Sequence, residues 1–500
     1  MIYNSLKESG RKSPGTPLLP LVCFSALAII NRGLSLLLLP IYLRHIPPAD
    51  YGVLAAVTIV AAVIAVVSNL KLDAAMRTFY FDYYEDPDAL QNYLRQIFST
   101  SVYVAGIVYA VMLVAGSKIF GLIFAHEELQ FYPAGAIALA TASINACLSS
   151  YFVYLRNSLL LWELIRWQLL TVLSTVALQI LFVVVLNLGL YGVLWGSLLP
   201  AALTMLLLGL LRPGLLGARP DWRCLLPSLK YSLPLTGLGL AMALGTRLDR
   251  LVLERYVELE SLGAYAILVS LFGLLGIVLN SLNNAIRPYL YADLKTRDEA
   301  ANNTIELYQR LYLLAGLLAL SFAVFLGSNL HFVTDRPAYL SIQNWLLLGA
   351  TAFVPAIFTT YYVLFYEFYK RSVDMTAVIL ARFGVLFVLL ILFVPRFAIA
   401  GALCAVLVSE FLTAVLFGFI ARRLFAVKTS LQNVGMQLTI FLGTIWSLDY
   451  FLYSEAKATF GALQLLIVAG LLVAANRHTL RAIFAETSAR ESVFTPNDGE

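Results

Sequence analysis

Charged residues are scarce in this chain. Asp, Glu, Lys and Arg make up 13% of its 500 residues, against about 25% in soluble domains. That deficit excludes a soluble globular protein. No hydrophilic stretch is long enough to fold by itself, which also excludes a soluble enzyme tethered by an anchor. The four cysteines, Cys23, Cys147, Cys224 and Cys404, have neither metal-ligand spacing nor a disulfide framework. The four histidines, His45, His126, His331 and His478, lie far apart, with no acid or nucleophile at motif spacing. There is no phosphate-cradling Walker A sequence. No catalytic role, metal or cofactor is therefore expected, and any transport must run on an ion gradient, the membrane potential or a substrate gradient.

What is present is apolar length. Hydrophobic residues make up 60% of the chain and the mean hydropathy is +0.83. Runs of about 20 apolar residues, enough to cross a bilayer, recur along almost the whole sequence. The fold class expected is an all-α polytopic membrane protein with about fourteen transmembrane helices. The basic N-terminus and the run after it do not read as a signal peptide, because the run is too long and no small-residue cleavage site follows. It is the first span. With fourteen spans and both termini cytoplasmic, 25 of the 34 Lys and Arg fall on the cytoplasmic side, a strong positive-inside bias. The net charge of +5 is thus a topology signal, and no nucleic-acid partner is expected.

The chain repeats itself. Arg44-His45-Ile46 with Gly52 matches Arg255-Tyr256-Val257 with Gly263, an offset of 211. Ala75-Met76-Arg77 matches Ala285-Ile286-Arg287, and Ser149–Val153 matches Thr359–Val363, both at 210. Tyr191-Gly192 matches Ala400-Gly401 at 209. Four matches in one register indicate two copies of a six-helix bundle. Six is even, so the copies enter from the same side as parallel repeats. The expected layout is a cytoplasmic tail (1–17), an N-lobe of spans 1–6 (18–211), a cytoplasmic linker (212–231), a C-lobe of spans 7–12 (232–425), spans 13–14 (426–480) and a cytoplasmic tail (481–500).

Charge inside a membrane helix is costly and marks function by default. Arg32 lies about fourteen residues into span 1, or roughly 21 Å at 1.5 Å per residue. Arg247 sits at similar depth in span 7, with Asp249 and Arg250 beside it. These residues imply a water-filled cavity between the two bundles, lined by positive charge and suited to bidentate phosphate binding. The alternative is that Asp249 and Glu254 neutralise Arg247 and Arg250. Asn31, next to Arg32, either binds substrate or bridges helices. Glu410 in span 12 is either a proton or sodium coupling residue or the partner of Arg382 in span 11. Asp73 and Arg77, four residues apart, form a helix pair or a cytoplasmic gate, and Arg287 is the repeat-mate of Arg77. Asn145, Asn280, Asn283 and Asn284 read as helix–helix glue. The aromatic runs Phe79–Tyr84 and Tyr361–Tyr369 are expected near the interface.

The stretch Leu39-Pro40-Ile41-Tyr42-Leu43-Arg44 through Tyr51-Gly52 resembles the span 1–2 signature of oligosaccharide flippases. These are the Wzx-type members of the multidrug/oligosaccharidyl-lipid/polysaccharide exporter superfamily. Leu229–Pro234, Arg247-Leu248-Asp249-Arg250 and Leu262–Tyr265 resemble the family around spans 7–8. The resemblance covers about residues 18–425. It implies V-shaped paired lobes, alternating access and a polyprenyl-pyrophosphate-linked sugar as substrate, moved from the inner to the outer leaflet of the bacterial cytoplasmic membrane. The family's cationic cavity maps onto Arg32, Arg247 and Arg250. Spans 13–14 resemble the pair that forms a lipid-tail groove in related flippases. The pathway implied is exopolysaccharide or O-antigen (lipopolysaccharide) synthesis, with membrane lipid and polymerase and export machinery as partners. Two rivals stand beside this reading. A cation-coupled multidrug exporter of the same fold would use acidic or apolar cavity residues. A polysaccharide polymerase or ligase would carry a long outer loop.

Overall fold

The computed structural model describes residues 33, 38–215, 221–296, 299–425, 431–451 and 466–474. Among the described residues, nine helices are long and apolar enough to cross a membrane, and no strand occurs. The helices are α1 (Pro48–Asn69), α2 (Leu72–Phe79), α3 (Pro87–Ile123), α4 (Ala136–Asn157), α5 (Leu161–Ile180), α6 (Gly189–Leu211), α7 (Trp222–Gly245) and α8 (Leu248–Leu253). They continue with α9 (Leu259–Thr296), α10 (Glu299–Ser328), the short α11 (Pro337–Leu340), α12 (Leu346–Phe368), α13 (Ser372–Phe425) and α14 (Leu431–Phe451). Spans 2–6 and 8–10 each fall on one apolar helix. Spans 11 and 12 are the two arms of α13, which folds back at Ala398. Span 7 falls on α7 and the short α8, and α7 carries Pro227, Lys230 and Pro234. Most of span 1 and the first part of span 14 lie outside the described residues.

Local chemistry starts these helices. Asp86 accepts from the N–H groups of Asp88 and Ala89 at 3.0 and 3.1 Å and Pro87 occupies the first turn of α3, where its missing N–H costs nothing. Asp221 caps α7 by accepting from Arg223 N–H at 3.0 Å. Burial then sorts the helices. Span 5 has only 17% of its apolar window buried within the protein, against 61% for spans 4, 8, 9 and 10, so span 5 is largely outward-facing and the others are central.

The described residues group into two compact units, the first ending at Gly263 and the second beginning at Ala264. The boundary expected from the repeat lies near residue 232. The unit boundary follows contacts, and α7 packs against α1 and α2 in the first unit. The core of that unit gathers Leu72, Met76, Tyr93, Phe98, Tyr151 and Leu225 from α2, α3, α4 and α7. In the second unit Phe272 of α9 stacks on Phe353 of α12, and Tyr361 is buried and donates to the Ile305 carbonyl at 2.9 Å. The Tyr361–Tyr369 run is therefore largely core packing, with Tyr361, Phe365 and Tyr366 buried.

The duplication is visible in the backbone. At the end of α4, Leu159 has φ 52°. Ser158, Leu159 and Leu160 donate to the carbonyls of Tyr154, Arg156 and Leu155 at 2.9, 3.2 and 3.0 Å. At the end of α12, Lys370 has φ 55°. Tyr369, Lys370 and Arg371 donate to Phe365, Glu367 and Tyr366 at 3.0, 3.2 and 2.9 Å. Every residue of the second set is 211 beyond the first. The tight turns before Gly192 and Gly401 also correspond, with left-handed backbone at Gly189 (φ 54°) and at Ala398 (φ 47°). A Cβ at Gly192 would lie 3.1 Å from the Phe182 carbonyl oxygen, and one at Gly401 would lie 2.4 Å from that of Phe393. The copies differ after α1. Leu70 and Lys71 are left-handed and break the chain between α1 and α2, whereas α9 runs unbroken through the equivalent Asn280 and Ser281.

Candidate functional site

The segment carrying Arg247 and Arg250 is not one continuous helix. α7 ends at Gly245, and Thr246 closes it with its N–H and hydroxyl both donating to the Met242 carbonyl, at 3.1 and 2.8 Å. Arg247 has φ −132° and ψ 7°, outside helical geometry. Its carbonyl accepts from Leu251 N–H at 3.1 Å and so begins α8. Its guanidinium reaches back to the Ala243 carbonyl at 3.4 Å and the Thr246 hydroxyl at 3.2 Å. A kink between apolar helices thus projects two guanidinium groups, those of Arg247 and Arg250, from one short segment. Among the described residues neither makes an ion pair within 4 Å, and both are half-buried. Asp249 between them is buried.

Glu254, the other acid expected to neutralise them, is committed elsewhere. It is fully buried, and its Oε1 accepts from the N–H groups of Ala125 and His126 at 2.9 and 3.0 Å. His126 Nε2 lies 2.9 Å from the Val257 carbonyl, and Arg255 donates to the Ile123 carbonyl at 3.2 Å. The turn after α8 is therefore latched to the turn after α3. The same turn brings the two repeat glycines together. A Cβ on Gly52 would lie 2.1 Å from the Leu259 carbonyl oxygen, and a Cβ on Gly263 would lie 2.2 Å from the Pro48 carbonyl oxygen. Leu259 is itself 211 beyond Pro48, so the contact is reciprocal. Only glycine permits such a close crossing.

The remaining sequence candidates fall in four places. Arg32 and Asn31 lie outside the described residues. Glu410 is buried and pairs with Arg382 at 2.6 Å across the two arms of α13. Asp73 and Arg77 share α2, but no ion pair joins them. The Asp73 N–H instead donates to Asn69 Oδ1 at 3.1 Å. Arg287 pairs with Glu367 at 3.0 Å, and Tyr291 donates to the same carboxylate at 3.2 Å. Asn283 accepts from the Tyr312 hydroxyl, an α9–α10 bond. The structure also supplies polar contacts that the sequence did not single out. Asn69 donates to the Ala146 carbonyl at 2.6 Å and to the Ser149 hydroxyl at 2.7 Å, tying α1 to α4. Tyr42 donates to Gln179 at 2.8 Å, and Glu163 pairs with Arg212 at 3.0 Å. A polar residue inside an apolar run was their only signal.

Comparison with known proteins follows the same lines. Residues 41–332 match the family described as polysaccharide biosynthesis protein. No curated protein matches the sequence. Among solved structures, the chain is similar to the lipid II flippase MurJ in an inward closed conformation, with a TM-score of 0.69 and 12% identity over 93% of this chain and 100% of that one. It is similar to an inward-facing multidrug resistance MATE family transporter of the MOP superfamily, with a TM-score of 0.63 and 13% identity over 81% of this chain and 98% of that one. It is also similar to a MOP superfamily transporter from Pyrococcus furiosus, with a TM-score of 0.59 and 16% identity over 82% and 96%. At these identities the likeness is one of fold. Taken with the family match, which spans more than half of the sequence, it places the chain: it belongs to the polysaccharide biosynthesis protein family and has the fold of the MOP-superfamily transporters.

Proposed function

We propose that this protein is a flippase. It moves a polyprenyl-pyrophosphate-linked oligosaccharide from the inner to the outer leaflet of the cytoplasmic membrane by alternating access, for exopolysaccharide or O-antigen synthesis. The observation that carries the proposal is the pair Arg247 and Arg250. They project from a helix break within an apolar region and have no acid partner within 4 Å among the described residues. Two neighbouring guanidinium groups with no ion pair within 4 Å among the described residues suit a dianionic phosphate group, whose oxygens they can bind bidentately. Arg32 belongs to the same site in this reading. The sugars and pyrophosphate occupy a water-filled cavity while the polyprenyl tail stays in lipid.

A cation-coupled multidrug exporter is the rival on the same fold. A cationic substrate would be repelled by Arg247 and Arg250. The Pyrococcus furiosus neighbour is described as having a binding pocket of reverse polarity that suggests a different function, which fits the view that pocket charge sets the substrate on this fold. Disrupting the gene and locating the lipid-linked sugar unit is the direct test. Accumulation on the inner leaflet is expected. Accumulation on the outer leaflet would refute the flippase reading and favour a polymerase. Arg247→Ala with Arg250→Ala should reproduce the disruption with membrane insertion intact.

A further inference from the structure

The ends of α4 and α12 share a backbone and differ in charge. Arg156 and Glu367 occupy the same position of the same capping turn, each carbonyl accepting from the N–H three residues on at 3.2 Å. Near them stand the repeat-mates Arg77 and Arg287. In the second copy Arg287 and Glu367 form an ion pair at 3.0 Å, and the Tyr291 hydroxyl donates to the same carboxylate oxygen at 3.2 Å. The first copy carries a base where the second carries that acid. Arg156 is partly desolvated and lies close enough to Arg77 for the two guanidinium charges to repel.

The two helix ends that carry the pair are joined. Asn157 Nδ2 donates to the Arg77 carbonyl at 3.2 Å, pinning α2 to the end of α4. Both arginines are exposed, and neither makes an ion pair within 4 Å among the described residues. The acids of the neighbouring turns do not pair with them. Glu163 is taken by Arg212 at 3.0 Å and the Tyr151 hydroxyl at 2.8 Å, and Asp73, one turn before Arg77, makes no ion pair with it. Two like charges brought together at a membrane-proximal helix end cost stability unless an anion sits across them. Two exposed guanidinium forks present the donor geometry that phosphate oxygens accept.

We propose that Arg77 and Arg156 form a phosphate-headgroup site at this end of α4, distinct from Arg247 and Arg250, and that it captures the pyrophosphate of a prenyl-linked substrate before transport. The identity of that ligand rests on the flippase reading. The bias of positive charge puts this helix end on the cytoplasmic side, where such a substrate is made. Ion pairing in the second copy makes the site a property of the first copy alone.

The test uses the full chain in phosphatidylcholine nanodiscs, with farnesyl pyrophosphate and inorganic pyrophosphate as probes. Arg156→Glu recreates the second copy's ion pair, so the variant should fold and melt no lower than wild type without ligand. It should bind farnesyl pyrophosphate roughly tenfold or more weakly, as expected for losing charge-assisted hydrogen bonds. Lys118→Glu, an exposed cation elsewhere, should bind as wild type. Unchanged affinity in Arg156→Glu would overturn the site. Repeating the titration in phosphatidylglycerol nanodiscs separates the sources of phosphate. Retained farnesyl pyrophosphate binding supports the carrier lipid, whereas its loss assigns the site to bulk anionic lipid and overturns the capture role. The same titration on Arg247→Ala keeps the two proposals apart. A further fall on adding Arg156→Glu supports this site whatever the leaflet assay returns.

Discussion

Glu254 offers a prediction whose size follows from its contacts. Its carboxylate is fully buried, and one oxygen accepts two backbone N–H groups, from Ala125 at 2.9 Å and His126 at 3.0 Å. Among the described residues neither N–H has another acceptor. Glu254→Ala removes the acceptor and leaves two backbone donors without a partner in a partly buried turn. A hydrogen bond to a charged group contributes about 1.5–3 kcal/mol, so the pair holds the 124–126 turn by about 3 kcal/mol or more. Relief of the buried carboxylate's desolvation offsets part of that. At about 1.4 kcal/mol per tenfold, local opening of this turn should rise on the order of a hundredfold. Glu254→Gln keeps one carbonyl oxygen in place and both bonds, without charge assistance, and should fall roughly tenfold short of the alanine effect. Hydrogen–deuterium exchange of a peptide covering residues 120–131, in nanodiscs, reads the opening directly. Exchange at Ala125 and His126 that is the same in Glu254→Ala as in wild type would refute the latch. Equal acceleration in the Gln and Ala variants would show that charge, not hydrogen bonding, holds the turn.

Two further predictions concern packing and charge. Gly52→Ala places a methyl group 2.1 Å from the Leu259 carbonyl oxygen, so the crossing must separate. Thermal unfolding of detergent-solubilised protein should show a loss of about 1–3 kcal/mol, the usual cost of overpacking. Gly106→Ala, with nothing within 4 Å, should be neutral or slightly stabilising by helix propensity, and equal effects at the two glycines would dismiss the crossing. Arg382→Leu strands the buried Glu410 carboxylate and should cost about 3–5 kcal/mol, while Arg382→Leu with Glu410→Leu should recover most of it. A double variant no more stable than the single would mean the 2.6 Å pair is not the main partner of Glu410, and normal transport by Glu410→Gln across pH would remove its coupling role.

Much of the fold was legible because duplication leaves marks that hydropathy does not. Four sequence matches near an offset of 210 anticipate the paired turns at Leu159 and Lys370, and those at Gly189 and Ala398. The structure adds why Gly52 and Gly263 recur: each faces a carbonyl of the other's helix, and a side chain at either would force the crossing apart. The break at Arg247 was harder to read. Gly245-Thr246 is a weak stop signal in an otherwise apolar run, and the hydropathy pattern carried the span straight across it. In the alternative reading Glu254, with Asp249, neutralises Arg247 and Arg250, and it stands four residues beyond Arg250, the spacing of a helix pair. The helix ends at Leu253, and the carboxylate instead meets a turn nearly 130 residues earlier in the chain, a contact that no local pattern encodes. The charge reversal between Arg156 and Glu367 was hidden for a subtler reason. The match of Ser149–Val153 with Thr359–Val363 runs at 210, whereas the backbone of the following turn runs at 211. One residue of slippage pairs Arg156 with Tyr366 and Asn157 with Glu367, and the opposition of base and acid disappears. Backbone geometry restores the register because a left-handed residue can occupy only one place in a capping turn. Where the copies keep a backbone and reverse a charge, packing has been preserved while electrostatics has changed, and that is where the two halves of this protein differ in what they can bind.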